Sequence, residues 1–442
     1  MNLNRFPWLM LVVLSFHLGA VAVFAQQAPA SGAELKFVVV FTRHGVRPPT
    51  WSAEELNQYS TEAWPKWDVP AGNLTSHGRT LIKLFGAYDR AYLAHAGLLK
   101  PEGCAEAGQV YIWTNNDERT IETGRALAAG MLPGCEVAAH ALPEGTTDPL
   151  FLPTLAGVGN PDRALAAAAV SGRIGGNPRA VMDLYRPALE TMQQVLVGCK
   201  PGPQCPPEGK SVKLLLLEQP VSLAPAKGDR LADLSPLNRA STLAENFLLE
   251  YLNGMEGKDL GWGRLNESNL RELGSLHTAY GDLLRRTPYV ARTNASNLMS
   301  HILKSMEQAV AGKELPGALG KPGDRLLVIV GHDNNICNIA GMLGGLSWLI
   351  EGYQRDETPV GGRLVFELWR RPASGEYTVR TYYMCQTPEQ MRKALPLTLS
   401  SPPAKSAIFL PGCSTAGEGL PCDWKAFQRI VDAAIDPAFV KQ

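Results

Sequence analysis

The sequence lacks the features that would assign it to several large classes of protein. It carries no excess charge, because Lys+Arg and Asp+Glu both number 42 among 442 residues. No global field therefore recruits nucleic acid or a membrane surface. Low-complexity tracts and internal repeats are absent, and the 45% hydrophobic and 19% charged fractions are typical of a globular protein. Any affinity for anions must come from cations gathered locally.

Motifs for metal or thiol redox chemistry are also missing. The eight cysteines include no CxxC pair, which argues against a zinc site and against a thioredoxin-like role. The sequence contains no HExxH motif, no closely spaced histidine pair and no aspartate cluster suited to Mg²⁺. We therefore predict an activity that needs no metal and no other cofactor.

An apolar run long enough to enter a membrane occurs once, at the start of the chain. Arg5 gives this segment a positive beginning, and Val23-Phe24-Ala25 has the form of a cleavage site. We predict a signal peptide at residues 1–25 and a periplasmic or secreted protein that leaves the membrane after cleavage. An uncleaved anchor is the alternative, but polar residues and a glycine interrupt the apolar run.

The cysteines fit an oxidising compartment. Their spacing suggests three local pairs, which are Cys104–Cys135, Cys199–Cys205 and Cys413–Cys422. Cys337 and Cys385 remain, both in apolar surroundings, either as buried thiols or as a fourth bridge.

Three short apolar runs predict buried parallel strands, and each run stops at a polar cluster. The runs cover residues 35–41, 109–113 and 325–330. A helix is predicted at 118–131, with Asp and Asn before it as N-caps. Because ligands bind outside the carboxyl ends of strands in α/β sheets, we expect the three polar clusters to meet in one crevice.

The middle of the chain has a different pattern, rich in Ala, Leu and Arg. Helical spacing occurs at 164–170, 180–197, 241–252 and 269–284, and further strands are predicted at 362–369 and 377–384. We predict a discontinuous α/β domain, formed by 33–155 and 296–442, with a mostly helical insertion domain at 156–295.

Arg43 and Arg47 flank His44 directly after the first predicted strand. Guanidinium groups bind phosphate oxygens bidentately, and a neutral imidazole between them can attack phosphorus to form a phosphohistidine. Gly45 allows the backbone to come close to a ligand. An isolated RHG tripeptide also fits a surface turn with a salt-bridged arginine, but RHGxRxP after a buried strand favours a phosphate site.

The other two clusters supply a cation and an acid. Arg119 stands at a helix start, where free N–H groups attract anions, although a surface ion pair is the alternative. His332 can donate to a phosphate oxygen, and Asp333 can protonate a leaving alkoxide. A capping Asp beside a structural His is the alternative there. Phosphate charge would raise the pKa of Asp333, which predicts an activity favoured in acid.

These motifs resemble those of the histidine acid phosphatase family, a branch of the phosphoglycerate-mutase-like superfamily. RHGVRPPT at 43–50 resembles the family's RHGxRxP motif, GHDNN at 331–335 its HD element, and NNDERT at 115–120 the segment with its third phosphate arginine. The resemblance runs from about residue 35 to 430 and is closest in kind to bacterial periplasmic phytases and glucose-1-phosphatases.

The resemblance implies a phosphoglycerate-mutase-like α/β domain, a small-molecule phosphomonoester as substrate and no metal. It implies that His44 is the nucleophile and Asp333 the proton donor. The phosphate pocket would consist of Arg43, Arg47, Arg119 and His332.

Further positions bear on the choice of substrate. The resemblance suggests four pocket-lining residues, which are Thr50, Trp51, Glu245 and His277. Trp51 and Asn294 stand where bacterial phytases have basic residues, and Asn115 stands where they have Asp. The loss of two cations weakens the case for inositol hexakisphosphate, whereas Trp51 can stack on a sugar or aromatic leaving group.

We therefore expect an exported acid phosphatase that is phytase-like or broad in range. A sugar phosphatase such as glucose-1-phosphatase is the alternative. A periplasmic phosphoester-binding protein would also place arginines at strand ends, but it has no need for a nucleophile paired with a proton donor. A mutase of the same superfamily normally acts in the cytosol, which the signal peptide contradicts. The sequence does not predict the oligomeric state.

Overall fold

The computed structural model describes residues 32–206, 210 and 212–441, so the predicted signal peptide lies outside the described part of the chain. The strands are β1 (Glu34–Arg43), β2 (Val110–Thr114), β3 (Ala139–His140), β4 (Ser222–Pro225), β5 (Ala232–Ser235), β6 (Leu326–Gly331), β7 (Arg363–Arg370), β8 (Tyr377–Cys385), β9 (Ala404–Ala407) and β10 (Cys422–Asp423). The helices are α1 (Ala53–Leu56), α2 (Ser76–His95), α3 (Glu118–Met131), α4 (Arg163–Arg173), α5 (Pro178–Leu184), α6 (Arg186–Val197), α7 (Leu237–Leu252), α8 (Glu267–Tyr280), α9 (Pro288–Ala311), α10 (Asp333–Met342), α11 (Pro388–Arg392) and α12 (Trp424–Ala434).

Eight strands form one mixed sheet in the order β10-β8-β7-β1-β6-β2-β3, with β9 paired to β8. The strands β1, β6, β2 and β3 run parallel, whereas β7 to β10 pair antiparallel. Arg43 lies opposite Gly331 across the β1–β6 pair, and Thr114 lies opposite Val330 across the β2–β6 pair. The three polar clusters therefore follow neighbouring strands at the same edge, as the sequence predicts.

Helices cover both faces of the parallel strands, which explains why these strands read as continuous apolar runs. On one face, Phe37, Val39 and Phe41 of β1 belong to a core that includes residues of α9 and α10. On the other face, Val38 and Val40 belong to a core with residues of α2 and α3. The predicted α/β fold class is confirmed.

A second apolar core lies away from the sheet and is formed mainly by α6, α7 and α8. The helical pattern predicted for this region agrees with these elements, but the short β4–β5 hairpin was not predicted. Trp64, which precedes the predicted insertion domain in sequence, also belongs to the second core. Its ring stacks on that of Phe247, with the ring centroids 5.0 Å apart. The division of the chain at 156 and 295 stays a prediction.

Three disulfides join the cysteine pairs that the spacing suggests, Cys104–Cys135, Cys199–Cys205 and Cys413–Cys422. Cys337 and Cys385 are buried free thiols. Within residues 32–206, 210 and 212–441, no helix combines the length and apolarity needed to cross a bilayer.

Glu250 is a fully buried carboxyl group beside the second core. Its Oε2 accepts a hydrogen bond from the Gly261 N–H at 3.0 Å, and its Oε1 has no partner in the described residues. Burial raises the pKa of Glu250 to about 8, against the effect of the Gly261 hydrogen bond. The folded state therefore favours the protonated form, so the stability that Glu250 contributes is full below about pH 4.5 and is lost as pH rises through 8.

We expect Glu250→Gln to flatten the decline in stability between pH 5 and pH 9. The amide keeps the acceptor for Gly261 and removes the buried charge, a difference on the order of a few kcal/mol at pH 9. Urea unfolding at pH 5 and pH 9 measures the change in the free energy of unfolding. Glu144→Gln, at an exposed position, is the matched control. Equal pH dependence of the wild type and Glu250→Gln would contradict a buried titrating group at this position.

Candidate active site

The loop after β1 is tied to both neighbouring elements. The His44 N–H donates to the Gly331 carbonyl at 3.0 Å, and the Gly45 N–H donates to Thr123 Oγ1 at 3.0 Å. A Cβ atom at Gly45 would lie 2.8 Å from Leu74 Cδ1, and its φ is not in the left-handed region. Limited space against Leu74 therefore favours a small residue here, and no unusual backbone conformation calls for glycine.

His44 is buried, and its protonation state follows from its partner. Its Nδ1 lies 2.8 Å from the Gly45 carbonyl, which can only accept, so Nδ1 carries the proton and donates. The lone pair is then on Nε2. Burial and the charges of Arg119, Arg43, Arg47 and His332 hold the pKa of His44 well below its usual range. The imidazole therefore stays neutral in mild acid.

Three guanidinium groups surround this histidine. Glu245 pairs with Arg43 Nη2 and lies 3.6 Å from Arg47 Nη2, while Arg43 Nη1 donates to the Thr358 carbonyl at 2.6 Å. Burial, with the charges of Arg119 and Arg43, lowers the pKa of Arg47 to about 9. The Nε groups of Arg47 and Arg119 are buried donors without an acceptor among the described residues. A bound anion would accept from these donors and relieve the mutual repulsion of the cations.

Asp117 links the second and third polar clusters. Its Oδ2 accepts from Arg119 Nη2 at 3.0 Å and from Asn115 Nδ2 at 3.1 Å, and lies 3.2 Å from His332 Nε2. The hydrogen bond with His332 and the nearby Arg119 charge lower the pKa of Asp117 to about 2, against burial. Asp117 stands at the predicted N-cap position, but its side chain caps no backbone N–H because it orients Arg119 and His332 instead.

Asp333 is the first residue of α10 and faces the same cleft. Its Oδ2 lies 3.6 Å from His277 Nε2, and His277 Nδ1 lies 3.0 Å from Ser241 Oγ. Burial would raise the pKa of Asp333, but the nearby charges, those of Arg43 and His277 foremost, hold it well below its usual range. The raised pKa predicted from the sequence is therefore not produced by the protein itself and depends on the substrate's phosphate.

One cleft of about 660 Å³ is lined by His44, Arg47, Asp117, Arg119, Glu245, His277, His332 and Asp333, whereas Arg43 and Asn115 are not part of the lining. The four pocket residues suggested by the resemblance, Thr50, Trp51, Glu245 and His277, line it as well. The Trp51 ring lies 6.0 Å from that of Tyr59, which also faces the cleft. Asn294 is instead buried in α9, where its side chain donates to the Val290 carbonyl at 3.1 Å, and it is not part of the lining.

Sequence reasoning missed a group of charged residues that the region 229–285 brings to the cleft. They are Asp229, Arg230, Arg239 and Arg285. Arg285 Nη2 lies 3.4 Å from Asp229 Oδ2, and Arg230 Nη1 lies 3.2 Å from Asp233 Oδ1. No motif surrounds these residues, so only their position in three dimensions relates them to the site.

One set of side chains could in principle hold a cation. The ligand atoms of Glu245, His277 and Asp333 lie within 4.8 Å of one another, and no other such group occurs in the part of the chain that the structure describes. Arg43 and Arg47 already neutralise Glu245, so a cation would compete with both. Metal independence stays a prediction.

The sequence pattern of the histidine phosphatase superfamily (branch 2) matches residues 34–161 and 236–384, which include both the RHG and the HD motifs. The chain belongs to this family. The predicted enzyme class, a histidine acid phosphatase that hydrolyses phosphoric monoesters, is thereby confirmed.

Relatives of this branch cover almost the whole chain. Phytase AppA of Escherichia coli is 35% identical over 94% of this chain and 95% of its own length. A glucose-1-phosphatase of Salmonella typhimurium is 30% identical over 93% of this chain and 95% of its own length. The structure of Hafnia alvei phytase in complex with myo-inositol hexakis sulphate matches with a TM-score of 0.81 and 34% identity, over 94% of this chain and all of that chain.

Proposed function

We propose that this phosphatase transfers the phosphoryl group of its substrate to His44 and uses Asp333 as the proton donor. The observation that carries the proposal is the hydrogen bond from His44 Nδ1 to the Gly45 carbonyl, in the midst of three arginines. It leaves Nε2 unprotonated and able to attack, while the cations hold the phosphate.

The proposed reaction has two steps. In the first, His44 Nε2 forms a bond to phosphorus, the bond from phosphorus to the ester oxygen breaks, and Asp333 gives that oxygen a proton. In the second, water attacks the phosphohistidine, Asp333 takes a proton from the water, and phosphate leaves. Arg43, Arg47, Arg119 and His332 would stabilise the charge on the equatorial oxygens in both steps.

Asp333 must acquire a proton before the first step. The protein's own charges favour its ionised form, so a phosphate dianion must first offset the nearby positive charges. The expected activity is therefore highest in acid and falls as pH rises through the pKa of Asp333 in the complex. Because the pKa of His44 is held low, the nucleophile stays neutral on the acid side.

For the substrate, we propose inositol phosphates or a broad range of phosphomonoesters. The likeness to phytases in sequence and structure supports this choice. The second candidate is a sugar phosphate such as glucose 1-phosphate. The pair of aromatic rings formed by Trp51 and Tyr59 at the cleft favours it, because rings of this kind stack on sugars. The three disulfides support export to the periplasm or the medium.

The test is phosphate release at acid pH from phytate, glucose 1-phosphate and p-nitrophenyl phosphate, each with and without EDTA. We expect turnover of p-nitrophenyl phosphate at a rate that EDTA does not change. The ranking of the other two by kcat/KM decides between a phytase-like enzyme and a sugar phosphatase. Loss of activity in EDTA that Zn²⁺ or Mg²⁺ restores would contradict the metal-free mechanism.

A further inference from the structure

Arg239 differs from the other arginines that line the cleft. Each of those four is paired with a carboxylate, namely Arg47 with Glu245, Arg119 with Asp117, Arg230 with Asp233 and Arg285 with Asp229. The Arg239 guanidinium has no ion pair and no hydrogen bond to any residue within 32–206, 210 and 212–441. It is half-buried and faces the cleft.

The position of Arg239 separates it from the phosphate-binding arginines. It is the third residue of α7, and Glu245, which holds Arg43 and Arg47, follows six residues later in the same helix. Six residues correspond to about 9 Å along a helix axis. Arg239 therefore lines the cleft near the start of α7, apart from the turn of the helix that holds Arg43 and Arg47 through Glu245.

The cleft has room for such a group. Its volume of about 660 Å³ is in the range that holds a whole small-molecule ligand, far more than one phosphate. Asn238 and Thr242, on either side of Arg239 in sequence, also line it and offer polar contacts. A guanidinium group with all its donors free binds a phosphate or carboxylate bidentately.

We propose that Arg239 is a specificity-determining residue that binds a second phosphate group of the substrate. The enzyme then prefers esters whose leaving group is itself phosphorylated. This inference rests on the proposed function, since it concerns the same cleft. Arg239 belongs to neither the RHG motif nor the HD motif.

Three sugar esters that differ only at carbon 6 test the proposal. They are glucose 1-phosphate with a hydroxyl group, glucose 1,6-bisphosphate with a phosphate and glucuronic acid 1-phosphate with a carboxylate. For Arg239→Gln, we expect the ratio of kcat/KM for the bisphosphate to that for glucose 1-phosphate to fall at least about tenfold, mainly through KM. The ratio for the glucuronic acid ester should fall less, by about threefold, because a carboxylate offers the guanidinium two acceptor oxygens and a phosphate offers three.

Arg230→Gln is the matched control, because it removes the same charge from the same cleft lining but from a guanidinium already held by Asp233. Its ratios should stay within about twofold of the wild type. A bisphosphate ratio unchanged in Arg239→Gln would overturn the proposal. An equal loss in Arg230→Gln would do so too, because it would indicate a general charge effect. If Arg239→Gln lowered the kcat/KM ratio for the glucuronic acid ester as much as that for the bisphosphate, the proposal of a phosphate site would be overturned, because Arg239 would then bind any anion.

Failure of the proposed function would look different, because the wild type would then release no phosphate from any ester. Calorimetric titration with glucose 1,6-bisphosphate, with both Arg239→Gln and Arg230→Gln made in the inactive His44→Ala background, tests Arg239 without turnover. We expect an affinity at least about tenfold weaker for Arg239→Gln than for Arg230→Gln. Equal affinities would overturn the proposal.

Discussion

His44→Ala is expected to lower kcat for p-nitrophenyl phosphate by at least about three orders of magnitude. The substitution removes the Nε2 atom that is proposed to form the covalent intermediate, and neither water nor the remaining arginines replace it. Rapid mixing of the wild type with substrate, followed by quenching in alkali, should trap a phosphohistidine that the variant lacks. Initial rates and the trapped phosphate measure both effects.

His301→Ala is the matched control for this loss. The His301 Nδ1 lies 2.6 Å from the Gly317 carbonyl, a contact of the same kind as that of His44, but His301 lies outside the cleft. We expect less than a twofold change in its kcat, and similar unfolding temperatures for the two variants. Retention of more than about 1% of wild-type activity in His44→Ala would rule out His44 as the nucleophile.

Asp333→Asn is expected to separate substrates by their leaving groups. An alkyl phosphate has a strongly basic leaving oxygen that needs a proton, so its kcat/KM should fall by at least about a hundredfold. p-Nitrophenolate leaves without one, so kcat/KM for p-nitrophenyl phosphate should fall by less than about tenfold. Glycerol 2-phosphate and p-nitrophenyl phosphate, assayed side by side, give the comparison. Equal losses on both would remove Asp333 from the role of proton donor.

The pH profile of the same variant gives an independent measurement. In the wild type, activity toward glycerol 2-phosphate should fall as pH rises and Asp333 in the complex loses its proton. Asparagine does not titrate, so Asp333→Asn should lose this decline and keep only the titration of the substrate itself. An unchanged profile would indicate that another group carries the proton.

Much of the site could be predicted because its residues follow strands that end at one edge of the sheet. The runs before Arg43, Asn115 and His332 are mostly apolar, and β6 and the part of β1 from Phe37 onward are buried. The rule that ligands bind at the carboxyl ends of parallel strands then brings the clusters together, although the order β1-β6-β2 is not readable from the sequence.

Two long helices were not predicted, and α9 shows why. Its buried face carries polar residues, among them Thr293, Asn294, Ser296 and Asn297, each at most 6% exposed. They satisfy their polar groups within the helix or with neighbouring backbone, as Thr293 does by donating to the Tyr289 carbonyl. The apolar spacing is therefore interrupted in the first half of α9, although Leu298, Met299, Ile302, Leu303 and Met306 maintain it in the second half. The helix α2 was missed as well, although its buried face is largely apolar.

The charged residues that the region 229–285 brings to the cleft could not be predicted for a different reason. Arg239 and Arg285 belong to helical segments that carry no motif, and charged residues on helices usually face solvent. Asp117 was interpreted as a helix cap, which is the usual role of aspartate at that position. Only the packing of the second core against the sheet brings Arg239 and Arg285 to the cleft, whereas Asp117 reaches it after the end of β2.

The position of β6 has a consequence for the order in which this enzyme is made. It fills the gap between β1 and β2, yet it follows them by more than two hundred residues of chain. Until this part of the chain is present, the edges of β1 and β2 that pair with β6 remain exposed and can pair with other chains. The phosphate pocket is also incomplete, because its histidine and its acid at 332 and 333 come last. A nascent or truncated chain that ends before residue 331 is therefore both prone to aggregation and unable to act on any ester.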